Sequence, residues 1–109
     1  MKRHKKKVLV IVHDAGGAEV IGAYLHKQVE NLTFRAYGNG PALAIFKRLH
    51  LPIRQTGPTR TEMDALMHRH ADIDFVVVGA PGWMTTTEIN ALEAAKHAGL
   101  KVVVYMDSW

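Results

Sequence analysis

The sequence contains no cysteine. That excludes a disulfide framework, a thiolate zinc site and a cysteine nucleophile, and it fits a reducing cytoplasm. No apolar run approaches the ~20 residues that a bilayer span requires. The apolar stretch behind the basic N-terminus, Val8 to Val12, is too short for a signal-peptide core and suits a buried strand. Internal repeats, low-complexity segments and linkers are also lacking. A chain of 109 residues therefore reads as one domain, large enough to bury a core without staples.

What is present is an ordinary globular composition, 48% hydrophobic and 22% charged. The net charge is +4, and Lys2, Arg3, Lys5, Lys6 and Lys7 supply much of it. Residues 1–7 read as a basic flexible leader and residues 8–109 as the domain. The leader suits peripheral contact with the inner face of an anionic membrane, or simple solvation. No aromatic residue interleaves the basic run, so nucleic acid is not an expected partner.

Three continuous β-branched runs, Val8–Val12, Phe75–Val78 and Val102–Tyr105, have the pattern of strands buried on both faces. Weaker strands fit near Thr33–Tyr37 and Ile53–Gln55. Ala18, Ile21, Gly22, Leu25 and Val29 predict a helix from about Gly17 to Glu30. Pro41 suits a first helical position, followed by Leu43, Phe46 and Leu49. Met63, Leu66 and Met67 mark a third helix, with Thr59 and Glu62 spaced as a capping box. Ile89, Leu92 and Ala95 mark a fourth, with Thr85 and Glu88 at the same spacing and Gly99 as its stop. Strict alternation of strand and helix predicts an open five-stranded parallel sheet of Rossmann-like type. The expected order is 3-2-1-4-5, with helices on both faces. A ligand is then expected at the switch point, outside the carboxyl ends of the first and fourth strands.

That geometry selects His13–Gly17, Tyr37–Gly40, Gly79–Thr87 and Asp107–Trp109. At the first turn, Gly16 and Gly17 would expose helix amides to an anion such as phosphate, or make a tight turn. Asp14 suits a base, an acceptor for a ligand hydroxyl, or the helix cap, and His13 can transfer a proton near neutral pH. His13 and Asp14 are therefore the candidate catalytic residues. In the second long loop, Gly79, Gly82, Trp83, Thr85, Thr86 and Glu88 offer small residues, an indole and hydroxyls to a sugar or phosphate. Capping and packing would also account for Thr85, Glu88 and Trp83. Asp107 completes the candidate ligand-binding set at the end of the last strand.

Several familiar sites are excluded. A dinucleotide fingerprint needs G-x-G-x-x-G and an acid after the second strand. Here the turn reads Ala15-Gly16-Gly17-Ala18 and the second strand ends Tyr37-Gly38-Asn39. A Walker lysine is missing, and a phosphoacceptor receiver would need an acidic cluster beside Asp14 and an aspartate where Gln55-Thr56 stand. No cofactor is expected. Histidine occurs seven times, but His68 and His70 lie two apart and cannot chelate from one helix face, so no metal site is expected. Both lie near a helix C-terminus, which favours the cationic form. His26, His50 and His97 read as helix-surface residues.

Three segments together resemble a known class: Val12-His13-Asp14-Ala15-Gly16-Gly17-Ala18, then Val78-Gly79-Ala80-Pro81-Gly82-Trp83 with Glu88, then Val104-Tyr105-Met106-Asp107-Ser108-Trp109. They look like the N-terminal Rossmann half of bacterial GT-B-type surface-polysaccharide glycosyltransferases, similar in architecture to UDP-N-acetylglucosamine 2-epimerases. Ala80-Pro81 and Ser108 depart from that pattern. The resemblance implies an acceptor-side, cleft-lining half, with a sugar or sugar-nucleotide ligand and a second Rossmann domain or subunit as partner. It also implies that this half is not catalytically complete alone. The abrupt end at Trp109 leads to the expectation that the chain continues or docks on a partner. The alternative is a standalone flavodoxin-like module for small-molecule binding, regulation or assembly.

Overall fold

The computed structural model describes residues 5–80 and 85–106. Strand β1 (Lys6–Val12) lies at the centre. Val8 to Val12 are each at most 1% exposed, a burial available only between two helical layers. Val8, Val10 and Val12 pack with α1 (Ala15–Lys27) and α2 (Pro41–Arg48). Leu9 and Ile11 pack on the other face with α3 (Arg60–Arg69) and α4 (Thr86–His97). Phe46 anchors the first layer, and Met63 and Met67 the second.

Strands β2 (Leu32–Gly38), β3 (Arg54–Gln55), β4 (Phe75–Ala80) and β5 (Val102–Met106) complete an all-parallel sheet in the order β3-β2-β1-β4-β5. Val12 pairs with Gly38 on one side and Gly79 on the other. The chain leaves β1 toward β2 and leaves β4 toward β5, so the crossovers diverge at the carboxyl ends of β1 and β4. The fold class is the Rossmann-like α/β architecture that the alternation implied. No helix among the described residues is long and apolar enough to cross a membrane.

Local boundaries differ from the sequence pattern for identifiable reasons. α1 begins at Ala15 because Asp14 caps it, which draws both glycines inside the first turn. It ends at Lys27, where a turn closed by Asn31 N–H and Leu32 N–H on the Gln28 carbonyl leads into β2. Val29 lies beyond that end and is exposed. β3 shrinks to two residues at the sheet edge. On α4 the buried face is Thr87, Glu88, Ala91, Ala94 and Ala95, and Ile89 is turned outward. Small alanines let that helix lie close to the sheet. β1 begins at Lys6, inside the expected leader, and Lys7 is tied down by its N–H to Asp74 (2.7 Å) and its ammonium to Asp72 (3.2 Å).

The histidines divide. His26, His68 and His97 are exposed on helices, whereas His50 follows α2 at φ 58°. His70 corrects its expected cationic character. It is buried, its Nε2 lies 2.8 Å from the Tyr37 hydroxyl, and desolvation holds its pKa below the ordinary imidazole value, with Arg35 and Arg69 adding to the shift. Burial and positive neighbours outweigh the helix terminus.

The sign of the resulting pH dependence follows directly. The folded-state pKa of His70 lies below the unfolded value of about 6.5. Its contribution to stability is therefore present above that value and lost as pH falls through the folded pKa. Wild type should lose thermal stability between about pH 7 and 5 more steeply than His70→Gln, which retains a partner for Tyr37 without titrating. Parallel melting curves for the two proteins across this range would contradict the assignment.

Candidate functional site

The carboxyl ends of β1, β2, β3 and the start of α4 converge on one cleft of about 390 Å³. Its lining is His13, Asn39, Gln55, Thr56, Gly57, Pro58, Thr85, Thr86 and Thr87. Three of the four segments singled out by topology contribute to it. The turn after β3, Gln55–Pro58, adds a wall that the sequence pattern did not point to.

Asn39 organises this cleft. Its Nδ2 donates to the Thr56 carbonyl (3.1 Å) and reaches Thr87 Oγ1 (3.3 Å). Its Oδ1 meets His13 Nδ1. One amide thus ties together the ends of β1, β2 and β3 and the first turn of α4. Gly40, at φ 61°, lets the loop close over the imidazole: a Cβ there would fall 2.6 Å from His13 Cε1 and 2.8 Å from Nδ1. The loop is also held by Ala42 N–H on the His13 carbonyl (3.0 Å). His13 is half-buried with one ring edge fixed. Sequence reasoning missed Asn39 because it looked at that position only for an acid that would bind a ribose.

Asp14 is the N-cap of α1, with Oδ2 accepting Gly17 N–H at 2.9 Å. Of the first-turn amides expected to receive an anion, the Gly17 N–H is taken by this carboxylate. Gly16 is half-buried and Gly17 buried. Gly79 serves the approach of α1 to β4: a Cβ on it would come within 2.5 Å of Ile21 Cδ1 and 3.6 Å of Gly17 Cα. Thr85 and Thr86 stand on the cleft wall. Gly82, Trp83 and Asp107 lie outside the described residues, as does Trp109.

Glu88 is fully buried. Its Oε2 accepts the Thr85 N–H (3.0 Å) and the Thr85 hydroxyl, while Oε1 has no hydrogen-bond partner among the described residues. Asp14 Oδ1 is likewise buried and unpartnered. Burial holds the Glu88 carboxyl above the usual carboxylate range. The charge of Asp14 adds to the shift, and backbone N–H groups and His13 oppose it. The matching box on α3 shows the contrast. There Glu62 is exposed, receives the Thr59 hydroxyl and the Thr59 and Gly57 N–H groups, and is held below the usual range, chiefly by that hydroxyl.

The raised pKa of Glu88 has a defined consequence. Its folded-state contribution is present below the unfolded pKa of about 4.3 and lost as pH rises through the folded value. Glutamine can serve the same capping box without the buried charge. Glu88→Gln should therefore be more stable than wild type at pH 8 by about 1 kcal/mol, roughly 4 °C in melting temperature. The gain should vanish near pH 4. Thermal unfolding followed by circular dichroism at both pH values checks this; a loss of stability at pH 8 would contradict it.

No known protein family and no characterised protein matches this sequence. Among solved structures, a UDP-N-acetylglucosamine 2-epimerase superposes on 93% of this chain with a TM-score of 0.65 at 15% sequence identity. The chain spans 33% of the length of that protein. At this identity the likeness concerns the fold, and the chain shares a Rossmann-like α/β domain with a protein more than twice its size.

Proposed function

We propose that this chain forms one wall of a sugar-nucleotide cleft: the N-terminal, acceptor-side half of a glycosyltransferase-like enzyme of surface-polysaccharide biosynthesis. A second Rossmann domain or subunit supplies the opposite wall. The observation that carries this reading is the polar cleft at the switch point. It is lined by an imidazole, amides and threonine hydroxyls, groups that recognise the hydroxyl-rich face of a sugar. Two features support the acceptor side. The N-terminus of α1 is already capped by Asp14, whose carboxylate takes the Gly17 N–H there. The superposed epimerase has a sugar nucleotide in its name, and this chain matches only a third of it.

Within this reading His13 is the group that takes a proton from the ligand. Asp14 and Glu88 shape the charge beneath it. The strand-end cleft alone holds a sugar weakly, because half of the enclosing surface comes from the partner. Titration of the isotopically labelled protein with UDP-N-acetylglucosamine should shift the amide resonances of His13, Asn39, Thr56, Gly57 and Thr85–Thr87. The expected dissociation constant is about 1 mM. Unshifted cleft resonances at roughly ten times that concentration would overturn the reading.

A further inference from the structure

We propose that Asn39 is a positioning residue that holds neutral His13 in its Nδ1–H tautomer, leaving Nε2 as the proton acceptor that faces a ligand hydroxyl. The ligand part of this statement rests on the function proposed above; the tautomer does not.

Asn39 has two N–H donors and one carbonyl oxygen. The Thr56 carbonyl can only accept, so the atom 3.1 Å from it must be the amide nitrogen. This fixes the orientation of the side chain chemically, since the flipped amide would set oxygen against oxygen. The same nitrogen reaches Thr87 Oγ1 at 3.3 Å, on a residue that is buried. Oδ1 is then the atom that faces His13 Nδ1. An oxygen there requires a proton on Nδ1. A neutral imidazole carries one proton, so Nε2 keeps its lone pair. Among the described residues no side chain or backbone group bonds His13 Nε2, and the ring lines the cleft.

Two further constraints keep the ring from escaping this state. Gly40 at φ 61° leaves no room for a Cβ beside the Cε1–Nδ1 edge, so the loop packs close along that edge of the ring. Asn39 itself is anchored at both ends: its N–H lies 3.4 Å from the Val12 carbonyl and its amide bridges β3 and α4. The charged group that His13 is seen to act on is the Glu88 carboxyl in the first turn of α4, where Asp14 acts in the opposite sense. When His13 takes a proton on Nε2, both ring nitrogens become donors, and Asn39 Oδ1 remains the acceptor for Nδ1–H. The network therefore accommodates the imidazolium without rearrangement.

The test is nitrogen-15 NMR of the histidine ring in the ligand-free protein at about pH 8, where an ordinary imidazole is neutral. Wild type should show His13 Nδ1 protonated and Nε2 as the bare nitrogen. Asn39→Ala should move the population toward Nε2–H, with the rest of the amide spectrum preserved. Asn39→Asp, which keeps an oxygen opposite Nδ1, should restore Nδ1–H. An Nε2–H tautomer in wild type overturns the proposal, and so does an unchanged tautomer in Asn39→Ala. If the alanine variant does not fold, Asn39→Leu, which fills a similar volume without an acceptor, takes its place with the same two outcomes. Because no ligand is present, a failed sugar titration and a wrong tautomer are separate results.

Discussion

The structure depends on one strand being buried on both sides and paired on both edges. β1 is apolar from Val8 to Val12 and has β2 and β4 as parallel neighbours. A parallel strand requires a long crossover to each neighbour, and right-handed crossovers that leave in opposite directions must part at its carboxyl end. Beside that gap the ends of β1, β2 and β3 and the start of α4 face one another across the cleft. Because β1 has polar backbone groups to satisfy and no solvent nearby, its end is closed by specific partners: Asp14 on α1, Ala42 N–H on His13, and Asn39 N–H on Val12. The contents of the cleft are consequences of how this one strand terminates.

The two capping boxes show how burial changes the meaning of a motif. Thr59–Glu62 and Thr85–Glu88 have the same residue types at the same spacing. On α3 the box faces water, and both carboxylate oxygens are engaged. On α4 the helix packs its first turn inward, so Thr87 and Glu88 are buried and one carboxylate oxygen has no partner among the described residues. A buried carboxylate gains from carrying a proton, whereas an exposed, well-bonded one does not. Asp14 and Glu88 belong to helices on opposite faces of the sheet, and the Asp14 charge still adds to the upward shift of Glu88.

The strand order, the parallel sheet and the placing of helices on both faces were legible from β-branched runs, helical spacing and strict alternation. Ile89, Leu92 and Ala95 marked the fourth helix, but alanines carry its interface with the sheet and Ile89 is exposed. The same patterns misread His70, whose neighbour Tyr37 is distant in sequence. The sequence placed His13, Asp14, Thr85 and Glu88 beside the strand ends, and of these His13 and Thr85 line the cleft while Asp14 and Glu88 cap helices. Asn39 was not recognisable, because an asparagine in a loop is ordinary and its bonds run to residues 17 to 48 positions away. Gln55–Pro58 were hidden for a similar reason: β3 is so short that its end has almost no pattern.

By itself the sequence determined which segments are strands and helices, that the sheet is parallel, and where its crossovers diverge. Those properties are periodic or local, and the cost of burying backbone and charge leaves few other arrangements. Tertiary structure alone decided the chemistry at the divergence. It buried Glu88 against its preference for charge and set an amide oxygen against one nitrogen of His13. Protonation and tautomer depend on distances of a few ångströms between residues far apart in the chain, and no spacing along the sequence encodes them.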